Sequence, residues 1–228
     1  MKTSRPPVKQ VAGTLSWGLA LQGALLLAAA YLQRNAMGAA AVQAAMTEFG
    51  AGRLGVTWSD PTAPPPTFPA IARRVLRGAG YATAAAAGIL VLAFATKAAS
   101  YHGVSIAGVL PLFNGLLLAV LLSVRDELLL RGVVLRAFGR AVPSAAELVV
   151  CGLVAAAAAW GSKEAATSME TFSAGVLGVA FAALWRIDRG AWMAWGANAA
   201  LHYLLNTVVH GAVFDIRIAQ GSWAQGLL

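Results

Sequence analysis

The sequence predicts an all-α membrane protein, a polytopic bundle of about six transmembrane helices. Of its 228 residues, 59% are hydrophobic and only 11% are charged, and the mean hydropathy is +0.69. Several apolar runs approach the roughly 20 residues that a helix needs to cross a bilayer. Alanine supplies much of the apolar content, and small residues allow membrane helices to pack closely. These observations exclude a soluble globular domain.

The charged residues and the single cysteine narrow the possible partners. The formal net charge is +8, and the basic residues mostly flank apolar runs. This placement is typical of residues that meet lipid headgroups and set topology, so we expect the bilayer as a partner and no nucleic acid. Cys151 is the only cysteine, which excludes an intrachain disulfide and a cysteine-based zinc site. No His-Glu-x-x-His sequence occurs either, and we expect no metal and no cofactor.

The N-terminal part, residues 1–100, is expected to hold membrane helices and a proline-rich loop. Its first apolar run is longer than that of a signal peptide and predicts a retained span. The expected elements are a span at 11–32, an alanine-rich stretch at 35–48 that extends this helix or lies in the interface, a loop at 50–69, a short interfacial helix at 71–77 and a second span at 80–100.

The C-terminal part, residues 101–228, is expected to add the remaining spans. They are predicted at 104–124 after a turn at 101–103, at 145–160, at 172–185 and at 191–214, with the third helix continuing to about Phe138. The basic residues disagree on orientation. Lys2, Arg5 and Lys9 favour a cytoplasmic N-terminus, whereas the arginines of later loops favour the opposite.

A cluster of charges follows the third apolar run without a helix breaker. Glu127 and Arg131 are four residues apart, so on a helix they share a face and can pair. Asp126 lies about 100° round the helix from Glu127 and can face another partner. Charges within membrane helices are costly, and they are kept where they pair or do chemistry in a protein-lined cavity. A solvated ion pair at the membrane surface is the alternative interpretation.

A second polar constellation marks the last apolar run. Asn198, His202, Asn206 and His210 follow one another at intervals of four residues, and the first three share one helix face. Such a stripe must face protein, a cavity or water. Hydrogen bonding between helices is the simpler explanation that remains open.

Together these residues resemble the CPBP family of membrane proteins. This family contains the CAAX prenyl proteases, related to the Ras-converting endopeptidase, and the bacteriocin-processing and self-immunity (Abi-type) proteins. Its signature is Glu-Glu-x-x-x-Arg, then Phe-x-x-x-His, then His-x-x-x-Asn or Asp, on successive membrane helices. The residues from Asp126 to Arg131 match the first motif, and those from His202 to Asn206 match the third. The resemblance covers about 104–214, so we expect 101–228 to be a CAAX-protease-like core.

The resemblance implies an intramembrane endopeptidase of the glutamic type, with water activated by a carboxylate and no required metal. In that scheme Asp126 activates water, and Glu127 and Arg131 have structural roles. His202 and Asn206 stabilise the oxyanion, as preorganised donors do. The implied substrate is a membrane-anchored protein, prenylated or carrying a C-terminal tail such as those that myxosortases remove. The implied location is a bacterial inner membrane.

Three departures from the family pattern accompany the resemblance. Asp126 stands in place of a glutamate and is one methylene shorter. A second register of the third motif would put Asn198 in the histidine slot and His202 in the next. The second-motif histidine is absent, because its slot falls near Ala159 or Trp160. The nearest replacements are Asn198, as a supporting hydrogen-bonding residue, and the loop residue Glu164.

Two other functions remain open at this level. A catalytically inactive relative would act as a membrane partner or an immunity protein, and the altered water-activating pair favours it. A small transporter would use the Asn-His stripe, although the chain shows no inverted repeat or broken-helix pair.

Overall fold

The computed structural model describes residues 8–104, 108–138, 144–161, 168–209 and 213–224. Most of this part is helical. The helices are α1 Val8–Tyr31, α2 Ala36–Arg53, α3 Phe68–Ala95, α4 Val109–Arg125, α5 Val133–Phe138, α6 Ser144–Gly161, α7 Ser168–Asp188 and α8 Trp192–Tyr203. Four helical segments are long and apolar enough to cross a membrane, namely Lys9–Tyr31, Phe68–Ala95, Val109–Phe138 and Ser168–Asp188, and Ala145–Gly161 is shorter. The predicted class, an all-α polytopic bundle, is confirmed.

The first two helices form an antiparallel hairpin. A turn separates α1 from α2, and the Asn35 side chain caps α2 by accepting a hydrogen bond from the Gly38 backbone N–H at 2.8 Å. Trp17 Nε1 on α1 donates to the Gly50 carbonyl on α2 at 3.3 Å. Of the two options for 35–48, neither holds, because this stretch belongs to a separate helix that leads the chain back.

The predicted interfacial helix at 71–77 is wrong, because α3 runs unbroken from Phe68 to Ala95. Pro69 lies in its first turn, where a proline is tolerated. Gly78 does not end the helix but allows close packing on α8, since a Cβ there would lie 1.9 Å from the Met193 carbonyl oxygen. Gly196 on α8 faces the Val75 backbone in the same way.

The third apolar run continues as predicted to Phe138, through a π-helical segment Asp126–Gly132 that joins α4 to α5. A second π-helical segment, Leu204–Val209, follows α8. The two helices α6 and α7 pack against each other through Gly152, Gly175 and Gly178. The main core contains buried apolar residues from α1, α5, α7, α8 and the first π-helical segment, including Leu25, Leu128, Val133, Phe181 and Ala197.

A two-stranded sheet was not expected. The strands β1 Ala99–Val104 and β2 Phe214–Ile218 pair in antiparallel fashion, with Ala99 opposite Ile218. The predicted turn at 101–103 is therefore wrong, as is the extension of the last span to 214. Local periodicity could not reveal a ladder whose strands are more than a hundred residues apart in the chain.

Apart from α4 and α5, which form one continuous helix with the first π-helical segment, successive helices run in opposite directions and define two ends of the bundle. The loop after α2 meets the turn after α7, where Ser59 and Gly190 form a β-bridge. Arg136, near the end of α5, donates through Nε to the Leu54 carbonyl at 3.3 Å. We call this the loop end, and α1, α3 and α8 begin there. The β-sheet lies at the opposite end, the sheet end.

Candidate active site

The π-helical segment Asp126–Gly132 carries the first charged motif. A π-helical turn is wider than an α-helical one and is found often at functional sites. Gly132 closes the segment, and a Cβ there would lie 2.6 Å from Val56 Cγ1. The two carboxylates at the start of the segment, Asp126 and Glu127, enter different surroundings.

Asp126 belongs to a chain of polar side chains that faces a cavity. Its Oδ1 accepts hydrogen bonds from Arg125, at 2.8 Å from Nε and 2.7 Å from the nearer terminal nitrogen. Its Oδ2 lies 3.2 Å from His202 Nε2. The Asn206 amide nitrogen lies 3.3 Å from His202 Nδ1. With that nitrogen as the donor, a neutral His202 carries its proton on Nε2 and donates it to Asp126.

Glu127 is completely buried and bonded on both oxygens. Its Oε1 accepts from an Arg131 terminal nitrogen at 2.8 Å and from the Asn198 amide nitrogen at 2.9 Å. Its Oε2 accepts from Trp185 Nε1 at 2.7 Å. The Arg131 guanidinium also lies 4.9 Å from the centre of the Phe181 ring. This group ties the π-helical segment to α7 and α8.

A cavity of about 820 Å³ lies between the α1–α2 hairpin on one side and α6 and α7 on the other. Its volume falls in the range of ligand-binding pockets. The predicted site residues Asp126, Arg131, Asn198, His202 and Asn206 line it, while Glu127 is sealed from solvent. The structure therefore brings all the predicted site residues together. Asp126 lines the cavity, whereas Glu127 does not.

The sequence left two points open, namely which residues match the third family motif and what replaces the histidine of the second. His202 contacts both Asp126 and Asn206, whereas Asn198 bonds Glu127. Asn198 therefore does not donate to Asp126 in the way proposed for a replacement. At the second-motif slot, Ala159 lines the cavity, whereas the Trp160 side chain is exposed.

Other candidates take no part in the described site. Glu164 and His210 lie outside the described residues. His102 is exposed on β1, where its Nε2 lies 2.9 Å from Ser100 Oγ. Among the described residues, no group of three or more His, Cys, Asp or Glu side chains is arranged to hold a metal ion.

Sequence reasoning missed three residues around the carboxylates. Arg125 precedes Asp126 in the chain, but its spacing from the other charged residues indicated no role for it. Gln43 on α2 is almost fully buried and accepts from an Arg125 terminal nitrogen at 3.0 Å. A lone glutamine in an alanine-rich helix was the only signal for it. Trp185 gave none, since aromatic residues near a helix end are common.

The fold and the site define an integral membrane protein with an acidic centre among its apolar helices. Residues 108–208 match the family described as type II CAAX prenyl endopeptidase Rce1-like. This part of the chain is thus similar to the CPBP family, a family of membrane proteases, as the motifs indicated. The matched segment runs from the start of α4 into the second π-helical segment and includes both motifs. No curated protein and no solved structure matches the chain.

Proposed function

We propose that the protein is an active intramembrane endopeptidase in which Asp126 activates water. The observation that supports this most is the chain Arg125–Asp126–His202–Asn206 on the wall of a cavity among apolar helices. Polar chains at membrane depth are expensive and mark functional pathways. Here the hydrogen-bonded row of side chains presents a carboxylate and hydrogen-bond donors to the same cavity.

The chemistry follows from these groups. The Asp126 carboxylate takes a proton from water as the water oxygen attacks the carbonyl carbon of the scissile peptide. The carbonyl oxygen gains negative charge, and the Asn206 amide stabilises it. As Asp126 becomes protonated it no longer needs the hydrogen bond from His202, so the His202 Nε2–H turns to the oxyanion and stabilises it as well. An amide NH2 has two N–H donors, so Asn206 can bond His202 with one and the oxyanion with the other. When the C–N bond breaks, the protonated Asp126 returns its proton to the leaving amine.

Arg125 and Gln43 compensate for the shorter aspartate. Arg125 bonds Asp126 Oδ1 through two nitrogens, which fixes the direction of Oδ2 towards His202. Gln43 in turn holds Arg125. Arg125 favours the ionised carboxylate, the form that accepts a proton. In this proposal residues 1–100 are N-terminal membrane helices that complete the CAAX-protease-like core of residues 101–228.

Glu127, Arg131 and Asn198 support the site through the hydrogen bonds that Arg131 and Asn198 donate to Glu127. The buried ion pair and the Trp185 bond satisfy both Glu127 oxygens, so no acceptor faces the cavity. Their role is to hold the π-helical segment and α8 in register. This keeps His202 opposite Asp126.

The substrate is a membrane-anchored protein, prenylated or cut near a C-terminal tail, in a bacterial inner membrane. The second candidate function is that of an inactive relative that binds a membrane partner or confers immunity. It is favoured by the absence of a histidine at the second-motif slot, which falls near Ala159 or Trp160, and of these two residues Ala159 lines the cavity.

The test compares C-terminal peptides of membrane and surface proteins by mass spectrometry in a host that lacks the gene. The host is complemented with wild type, Asp126→Asn or Asp215→Asn, the last being a half-buried aspartate on β2 that does not line the cavity and serves as a matched control. We expect an uncut tail to accumulate in the deletion and with Asp126→Asn alone. If Asp126→Asn restores wild-type peptides and phenotype, the inactive relative is the correct function.

A further inference from the structure

The basic residues gather at one end of the bundle. Those at the loop end are Lys9, Arg53, Arg73, Arg74, Arg77, Arg136, Arg186 and Arg189. Those at the sheet end, among the described residues, are Arg34, Lys97 and Arg217. Some loop-end arginines pair with acids, as Arg74 does with Asp188 at 3.5 Å. Lysine and arginine nonetheless dominate orientation, and acidic residues contribute little.

The α1–α2 hairpin removes the conflict that the sequence left open. With a single span before the proline-rich loop, the N-terminus and Arg53 would lie on opposite faces. Because α2 leads the chain back, the start of α1 and Arg53 lie at the same end. Every later helix then alternates so that α3 begins, and α5 and α7 end, at the loop end. The positive charges therefore agree and predict that the loop end is cytoplasmic.

The cavity lies towards the other face. On the side nearer the loop end it is lined by Gln22, Arg131 and Phe181, near the level of the buried ion pair. From there it extends to residues at the sheet end, which are Ala29 at the end of α1, Ala36 at the start of α2, Ala159 in the last turn of α6, Glu170 in the first turn of α7 and Ile218 on β2.

We infer that the site receives its substrate from the non-cytoplasmic face of the membrane. This inference rests on the proposed function. The substrate class is then a polypeptide already translocated and still anchored in the bilayer, whose scissile bond lies just outside its anchor on that face. A protein lipidated and retained at the cytoplasmic surface does not meet this condition.

The walls of the cavity add a constraint on the residues around the scissile bond. Alanines form much of two walls, with Ala36, Ala39 and Ala40 on α2 and Ala155 and Ala158 on α6. Such walls leave a slot between helices without offering hydrogen bonds from their side chains. A charged substrate side chain packed against these alanines would lose hydration without gaining a partner from them. We therefore expect small or apolar residues next to the bond that is cut.

Site-directed labelling tests the orientation without any cleavage assay. Single cysteines are placed in a Cys151→Ala background, at exposed Ala63 in the loop, at exposed His102 on β1 and at Ala36 at the outer part of the cavity. Intact spheroplasts are treated with a membrane-impermeant maleimide, with or without permeabilisation. We expect His102→Cys and Ala36→Cys to react fully in intact spheroplasts, and Ala63→Cys to react only after permeabilisation. The reverse pattern overturns the inference.

A second experiment addresses the substrate itself. The substrate found by peptide comparison is expressed while the translocation machinery is depleted, so that it stays on the cytoplasmic side. We expect uncut substrate to accumulate although the enzyme is present, with cleavage returning when translocation is restored. Cleavage of the untranslocated protein overturns the inference. If no variant or condition shows cleavage, the proposed endopeptidase fails, whereas the labelling pattern still decides the face of the cavity.

Discussion

Asp126 and Glu127 are neighbours in the chain, yet they lie in two different environments. Glu127 has no exposed surface and is bonded by Arg131, Trp185 and Asn198. Asp126 lines a cavity and shares its oxygens between Arg125 and His202. The difference shows that adjacent carboxylates in one π-helical turn can face separate partners, and the structural and chemical roles that we propose for them rest on it.

The largest effect on stability is expected at Glu127→Gln. This change removes one charge of a buried pair and leaves Arg131 without its counter-charge. Breaking such a pair typically costs about 3–5 kcal/mol. We expect little folded protein in detergent, measured by size-exclusion chromatography and thermal unfolding. Folding like that of wild type would show that the Glu127 group is not the structural half of the site.

The next largest effect is expected for cleavage rather than stability, at the donors beside Asp126. Loss of one oxyanion donor typically lowers kcat by about 10²–10³. His202→Ala and Asn206→Ala should each slow cleavage to that extent in vesicles, with a melting temperature near that of wild type. A loss of stability with normal turnover would show that His202 and Asn206 have a structural role, like the residues around Glu127.

A smaller effect is expected at Gln43, which lies outside the matched family segment. Gln43→Ala removes the bond that holds Arg125 on Asp126. A hydrogen bond to a charged group is worth about 1.5–3 kcal/mol, so turnover should fall by roughly 10-fold or more. The exposed Gln33→Ala serves as the control and should be neutral. Equal turnover rates for the two variants would show that α2 does not contribute to the site.

The smallest effect is expected from restoring the family histidine. Ala159→His places an imidazole on the cavity wall, where it can assist proton transfer, and turnover should rise a few-fold. Trp160→His places the same group on the exposed side and should not raise it. A rise with Trp160→His and none with Ala159→His would assign the slot to the other residue.

The sequence predicted much of this comparison because its signals are local. The spacing of four residues predicted the Glu127–Arg131 pair, and the same spacing set His202 and Asn206 on one face. The apolar runs predicted α1 and the long helix through Phe138. These features depend on helix geometry within one element, which a sequence shows directly.

The rest depends on contacts between distant segments. The bond from Arg125 to Gln43 joins residues 82 positions apart, and that from Trp185 to Glu127 joins residues 58 apart. The α1–α2 turn lacks a strong helix breaker, so the sequence did not predict that α2 leads the chain back to the loop end. It therefore did not predict that the basic residues before and after this hairpin lie at the same end of the bundle. The β-sheet was missed for the same reason, because its strands pair across the whole C-terminal part.

The most direct test of the central claim measures turnover and thermal unfolding on the same preparations of Asp126→Asn. The variant keeps the size of the side chain but cannot accept a proton from water. The account predicts folding and a melting temperature close to those of wild type, with cleavage of the identified substrate reduced by about 10²–10⁴. Cleavage at the wild-type rate by a folded Asp126→Asn protein would contradict it.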